Sequence, residues 1–176
     1  MIEKRIAVIG TPGKWSTEVL ADHLQRLTGF RCVVDMAEVV LELGSGRLHY
    51  RDLVLNKLDG IIIKKISEIY SPAADDRVRM LSQLEKDGVP CFSRPSQVGR
   101  LLNRLEGTAA LARAGIPMPA TRVTESTDAA LGIVNQFGKA ILKPLYSTKA
   151  RGMMVLDASD GESANTDKLN AFKAEH

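Results

Sequence analysis

The sequence predicts an α/β protein built on a parallel sheet. Three observations carry that prediction. Short apolar runs alternate with stretches of helical periodicity along the first half of the chain. The run Ile61–Ile63 is β-branched throughout, which suits a strand buried on both faces. Apolar residues make up 44% of the 176 residues and charged residues 26%, the balance of a globular chain rather than a disordered one. Strands alternating with helices place a parallel sheet between helical layers.

The elements follow in order. Arg5–Gly10 (RIAVIG) reads as a strand ending on glycine. Ser16–Leu27 follows with Val19, Leu20, Leu24 and Leu27 at helical spacing, and Ser16 is placed as its N-cap. Arg31–Met36 is the second strand and Leu58–Ile66 the third. Asp75–Gly88 is a helix stopped by glycine, and Val89–Ser93 is a fourth short strand. Residues 1–95 therefore read as a small Rossmann-like domain.

The pattern then changes. Pro95–Gly115 reads as helical segments, with Leu101, Leu105, Thr108 and Ala112 on one face of the longer part. In GIPMPATRV, Gly115 stops the helix, two prolines forbid its continuation, and a strand follows. TDAALGIVNQFG is a helix with Ala130, Ile133, Val134 and Phe137 on one face. KAILKPL and Met153–Ala158 are antiparallel strands joined by a loop. SDGESAN is a polar turn, and TDKLNAFKAEH begins a last helix. These pieces make a second domain, residues 96–176. A two-stranded sheet is marginal in water. The hairpin therefore either packs on the first domain or belongs to a longer protein.

Charge and composition exclude several classes. The net charge of +3 is too mild to argue for nucleic acid, and aromatic residues for base stacking are few. An anionic small molecule fits at least as well. No apolar run approaches the roughly 20 residues of a membrane helix, and the first residues lack a signal-peptide core, so a cytoplasmic protein is expected. Cys32 and Cys91 lie far apart without a CxxC pair and are expected to be buried free thiols. His23 falls on the polar side of a helix, His49 in a polar linker and His176 at the terminus, and no cluster has metal spacing.

The chemistry-bearing stretch is KPLYSTKARGM, Lys143–Met153. It puts Lys143, Lys149 and Arg151 around a segment that bends and closes on Gly152. Backbone N–H groups of such a loop bind anions, and glycine lets the backbone approach a ligand closely. On composition alone a solvated basic hairpin is the commoner case. Two other phosphate patterns fail. In VIGTPGKWS the first glycine of a P-loop is replaced by Val8, and Trp15 follows Lys14 where Ser or Thr is required. Gly10 and Gly13 do not complete G-x-G-x-x-G either. They shape a strand-to-helix turn, with substrate binding there as a minority reading. Lys64, Lys65, Tyr70, Arg77 and Arg79 follow a strand end, where α/β sheets bind ligands, although such residues are more often solvated.

The order of these pieces resembles a family. A Rossmann-like domain, a helix, AGIPMPAT, a second helix and AILKPLYSTKARGM look like the ATP-grasp enzymes, most of all the RimK-type glutamate ligases. The resemblance covers nearly the whole chain. It implies a pre-ATP-grasp domain followed by the first ATP-grasp subdomain. It also implies a reaction: ATP phosphorylates a carboxylate, and an amine attacks the acyl phosphate to give an amide, with ATP and Mg as cofactors. Carboxylate and amine substrates are implied, glutamate among them, and a homo-oligomer is compatible with the reading. By the resemblance Lys143 contacts the α- and β-phosphates. Ser147, Thr148, Lys149, Ala150, Arg151 and Gly152 form the lid over the β- and γ-phosphates.

The departures matter too. The family's second nucleotide lysine corresponds to Arg104, which is either a binder or, with Asn103, part of a solvated helix face. Ser147 and Ala150 stand where glycine is usual, which implies a stiffer lid. No catalytic residue and no metal ligand is assigned in this portion, because the second ATP-grasp lobe is not matched. The chain by itself is expected to be inactive as a ligase. The alternative is a non-catalytic nucleotide- or partner-binding protein that keeps the fold. A piece lacking its second lobe should self-associate, whereas a complete binding module should be a species of fixed size.

Overall fold

The computed structural model describes residues 3–68, 71–145 and 151–176. These fall into two compact units, residues 1–107 and 108–176.

The first unit begins with β1 (Ile6–Ile9), α1 (Trp15–Thr28) and β2 (Val33–Val34). Three strands then follow where the sequence pattern shows only a polar linker: β3 (Val40–Glu42), β4 (Arg47–Tyr50) and β5 (Leu53–Val54). The unit continues with β6 (Gly60–Ile63), α2 (Pro72–Lys86), β7 (Cys91–Phe92), α3 (Pro95–Leu102) and the start of α4 (Arg104–Arg113). The main sheet has the order β2-β1-β6-β7 and is parallel throughout. Ile6 pairs with Gly60 and Ile9 with Ile63, so the two central strands run in step.

Period-2 alternation sorts the side chains between the two faces. Val8, Ile62 and Val33 pack under Ala21 and Leu24 of α1. Ala7, Ile9, Ile61 and Val34 point the other way, into a core completed by Val78, Leu81 and Leu84 of α2 and by Leu48, Tyr50 and Leu55. The sheet is thus covered on both sides, as a parallel sheet requires. The antiparallel β3-β4-β5 sheet contributes to that cover, which is why His49 lies on a strand and not in a linker.

Helix boundaries shift for physical reasons. The N-cap of α1 is Lys14, whose carbonyl accepts from Thr17 and Glu18 at 2.8 and 3.0 Å, and Ser16 is inside the first turn. Helix α2 starts earlier than Asp75, with Pro72 in its first turn, where a missing N–H costs nothing. Cys32 and Cys91 are half-buried rather than buried. Asn103 caps α4 by accepting from the Glu106 N–H at 3.2 Å.

The second unit holds α5 (Thr127–Phe137), β8 (Lys139–Leu142), β9 (Met154–Asp157) and α6 (Glu162–Glu175). Residues 116–125 form no strand, because Pro117 and Pro119 offer no N–H for a ladder and the segment is largely exposed. Ser126 caps α5 by accepting from the Ala129 N–H at 3.2 Å. Strands β8 and β9 pair antiparallel, Lys139 against Asp157 and Leu142 against Met154. Leu131, Val134, Leu156 and Leu169 form the core between this hairpin and its two helices. Helix α6 begins at Glu162, so the polar turn is shorter than SDGESAN. Among the described residues no helix is long and apolar enough to cross a membrane.

Candidate functional site

Two places carry the chemistry, one in each unit.

In the second unit, alternation along the hairpin gives β8–β9 a covered and an open face. Ala140, Leu142, Met154 and Leu156 face the helices. Lys139, Ile141, Lys143, Met153 and Val155 are exposed. Ile141 is 57% and Val155 50% exposed, and the two lie directly opposite each other. The open face is therefore an apolar floor with a lysine at each end. Lys139 is engaged with Asp157 at 3.3 Å. The carboxyl of Asp157 is held below its ordinary range, first by hydrogen bonds from the Ser159 hydroxyl and N–H, then by Lys139. Lys143 leaves the end of β8 with its side chain exposed.

The loop that follows returns to β9 through Arg151 and Gly152. Arg151 is exposed. Gly152 has φ +65, a conformation that strains any side chain. A Cβ there would also fall 2.7 Å from the His176 ring and 3.1 Å from Pro144. The His176 ring thus lies beside Gly152 and edge-on to Phe172, with ring centroids 4.7 Å apart. Ser147, Thr148 and Lys149 lie outside the described residues. Arg104 opens α4 in the first unit and is half-buried.

In the first unit, a crevice of about 220 Å³ opens at the C-terminal ends of the parallel strands. Gly10 and Thr11 follow β1, Asp35 and Ala37 follow β2, and Ile66, Ser67 and Glu68 follow β6, with Arg77 of α2 also lining it. The chain crosses from β2 on one side of β1 to β6 on the other, so this is the switch point of the sheet, where open α/β sheets hold ligands. Arg77 donates to the Ile66 carbonyl at 3.1 Å, and Asp35 accepts from the Ala37 N–H at 2.9 Å. Lys14 reaches Glu68 at 3.0 Å.

The two glycines named from sequence have distinct places. Gly10 donates to the Val34 carbonyl at 3.0 Å, and a Cβ on it would meet Thr17 Cγ2 at 2.7 Å. It is glycine because α1 crosses β1 so closely. Gly13 has φ +75, and its N–H donates to Glu18 Oε1 at 2.6 Å. That hydrogen bond comes first, and the Arg31 guanidinium second, in holding the Glu18 carboxyl below its ordinary range. Lys64 is exposed just after β6, with its N–H on the Ile9 carbonyl at 2.9 Å. Tyr70 lies outside the described residues. Sequence reasoning missed Asp35, Ser67 and Glu68 as crevice residues. The signal for them was their position just past a strand end.

Among the described residues no three His, Cys, Asp or Glu side chains are grouped to hold a metal ion. A larger depression of about 420 Å³ lies between the β3–β4 turn and α2, lined by Leu41, Leu43, Met80 and Arg79 among others. It stands away from the strand ends.

No family model matches the chain. The tetrahydromethanopterin:α-L-glutamate ligase of Methanosarcina acetivorans is 27% identical over 172 residues, which are 94% of this chain and 52% of that protein. The chain thus spans about half the length of the curated relatives it matches over nearly its whole length. Among solved structures, the ATP-grasp ligase PsnB with a phosphomimetic variant of its minimal precursor, Mg and ADP superposes with a TM-score of 0.70 at 18% identity. It covers 97% of this chain and 63% of PsnB. The RimK domain protein ATP-grasp of Sphaerobacter thermophilus superposes with a TM-score of 0.69 at 17% identity, covering 94% of this chain and 56% of that one. The chain is thus similar to RimK-type glutamate ligases over nearly its whole length and shares the α/β fold of solved ATP-grasp structures.

Proposed function

We propose that this chain supplies the phosphate-contacting part of an ATP-dependent carboxylate–amine ligase. One observation carries the reading: Lys143 stands at the end of an open apolar sheet face, Ile141 opposite Val155, beside a loop that closes on a positive-φ glycine. A flat base needs an apolar floor, and a polyphosphate needs fixed cations at one end of it. Bound ATP supplies the phosphoryl group that activates the carboxylate. Lys143 neutralises phosphate charge at the end of β8. Arg151, with Ser147, Thr148 and Lys149, covers the distal phosphates, and Gly152 lets the backbone come close. Arg104, at the start of α4, is the counterpart of the second nucleotide lysine that the family resemblance implies. Such catalysis is alignment and charge neutralisation rather than covalent chemistry.

The ADP and Mg named for the PsnB complex support ATP and magnesium as the cofactors. Among the described residues no group of His, Cys, Asp or Glu side chains forms a ready cage for the metal. The Methanosarcina relative is named for glutamate and a pterin-bearing acceptor, which supports glutamate as the amine and a larger molecule as the carboxylate. The switch-point crevice is the place for a substrate end, built around Gly10, with Lys64 just after β6; Tyr70, the other sequence candidate, lies outside the described residues. Gly13 shapes this turn, its own N–H being taken by Glu18.

Calorimetric titration of ATP with magnesium tests the reading. Binding by the chain, lost in the Lys143→Ala/Arg151→Ala double variant, is the expected result. Equal binding by the two proteins would overturn it.

A further inference from the structure

Pro144 is buried, although Lys143 before it is exposed. Arg151 and Gly152, where the chain returns to β9, are exposed as well. His176, which follows the last turn of α6, meets the chain at this point. The Cβ position on Gly152 is 2.7 Å from both Cε1 and Nε2 of the His176 ring and 3.1 Å from Pro144 Cγ. The three residues therefore converge where the chain leaves β8 and comes back to β9. Phe172, one helical turn before His176, is half-buried and meets the imidazole with the two ring planes 64° apart. Further back on the same helix, Leu169 lies in the core of the hairpin. Asn165, fully buried, donates to the Asp157 carbonyl at 2.8 Å. Helix α6 is thus fixed to the core and delivers the imidazole to the end of the hairpin that carries the cations.

That contact bears on Lys143 and Arg151. Glycine has the freest backbone of all residues, so the φ of +65 at Gly152 is set by what packs against it. Lys143 and Arg151 are the immediate chain neighbours of Pro144 and Gly152. Whatever fixes those two backbones fixes the points from which both cations project. A cation set in place before a ligand arrives loses less freedom on binding.

We propose that His176 is a positioning residue for phosphate binding: its ring packs against Gly152 and Pro144 and thereby sets Lys143 and Arg151 toward a polyphosphate. It acts through those two residues and does not itself touch the ligand. The inference rests on the ligase reading for the polyphosphate, whereas the hold on Gly152 is measured without any ligand.

The ¹⁵N-labelled chain, His176→Ala and His176→Phe are compared, first alone and then with inorganic tripolyphosphate. Without ligand, His176→Ala should lower the heteronuclear NOE at Arg151, Gly152 and Met153 and leave Leu156 and Leu169 unchanged. Tripolyphosphate affinity should fall about two- to tenfold in His176→Ala, the cost of ordering one long side chain. His176→Phe keeps a ring without its N–H and should restore both readouts. An unchanged NOE at Gly152 in His176→Ala would overturn the proposal, as would a loss spread to Leu156 and Leu169. Failure of His176→Phe to restore affinity would overturn it too, because the imidazole would then be a ligand contact. Binding lost in Lys143→Ala/Arg151→Ala but unchanged in His176→Ala would sink only the role of His176. No tripolyphosphate binding by any of the folded proteins would sink the ligase reading, and the positioning role with it.

Discussion

Thr17 Cγ2 lies 2.7 Å from where a Cβ on Gly10 would sit. That spacing sets how closely α1 crosses β1, and with it the position of the switch-point crevice. Gly10→Ala should therefore destabilise the first unit by about 1–3 kcal/mol, the usual cost of overpacking. Thr17→Ser removes the clashing methyl. The double variant Gly10→Ala/Thr17→Ser should recover part of the loss in a urea-unfolding cycle. Additive losses would mean that Gly10 answers to something other than Thr17.

The two faces of β8–β9 should respond in opposite ways. Leu156 is fully buried in the second core. Leu156→Ala should cost about 2–5 kcal/mol. Val155, its neighbour on the open face, is half exposed. Val155→Asp should change stability by only about 0.5 kcal/mol, as a surface substitution does, yet abolish nucleotide binding by placing charge on the apolar floor. Thermal unfolding and calorimetry on the same samples separate the two effects.

Among the described residues three carboxyls, Glu18, Asp59 and Asp157, are held below their ordinary range and contribute to the loss of stability in acid. Glu18 is held below its ordinary range by the Gly13 N–H and then Arg31. Asp59 is held low by the Arg5 N–H and then Lys4, and Asp157 by Ser159 and then Lys139. A folded-state pKa below the unfolded one adds stability that is complete above the unfolded pKa and is lost as pH falls through the folded one. The urea midpoint should therefore hold steady down to about pH 5 and fall below about pH 4. Asn or Gln at these positions should flatten that fall.

Burial pushes the Cys91 thiol up to about 11, with Glu85 adding to the shift, and burial raises Cys32 as well. Neither thiol is poised for catalysis at neutral pH. Alkylation of Cys91 in the folded protein at pH 8 should run at least about tenfold slower than that of an unperturbed thiol, and that of Cys32 should be slowed as well. The rate at Cys91 should keep rising toward pH 11. A fast-reacting Cys91 at pH 7 would contradict the burial shown for its side chain.

Much of the fold was legible from period and punctuation. Ile6–Ile9 and Gly60–Ile63 are short apolar runs, and the α5 pattern falls on a helix capped by Ser126. The β3–β5 sheet was not legible. Its strands are two to four residues long, and Leu48 and Tyr50 become core residues only when the sheet folds onto α2. The strand expected after GIPMPAT failed for the opposite reason: its residues favour extension, but nothing among the described residues pairs with them. Lys143, Arg151 and Gly152 could be named from the loop's composition and the family resemblance. Gly10 and Arg77 could also be named as candidates from their places near strand ends, but Asp35 and Glu68 could not, because the crevice gathers residues from three separate strand ends that only the parallel topology brings together.

The central claim is that a nucleotide lies on the open face of β8–β9 with its phosphates at Lys143. Amide chemical-shift mapping of the ¹⁵N-labelled chain during an ATP titration tests it most directly. The account predicts saturable shifts at Ile141, Lys143, Gly152 and Val155, absent in Lys143→Ala/Arg151→Ala. Shifts confined to other residues, or none at all in a folded sample, would contradict it.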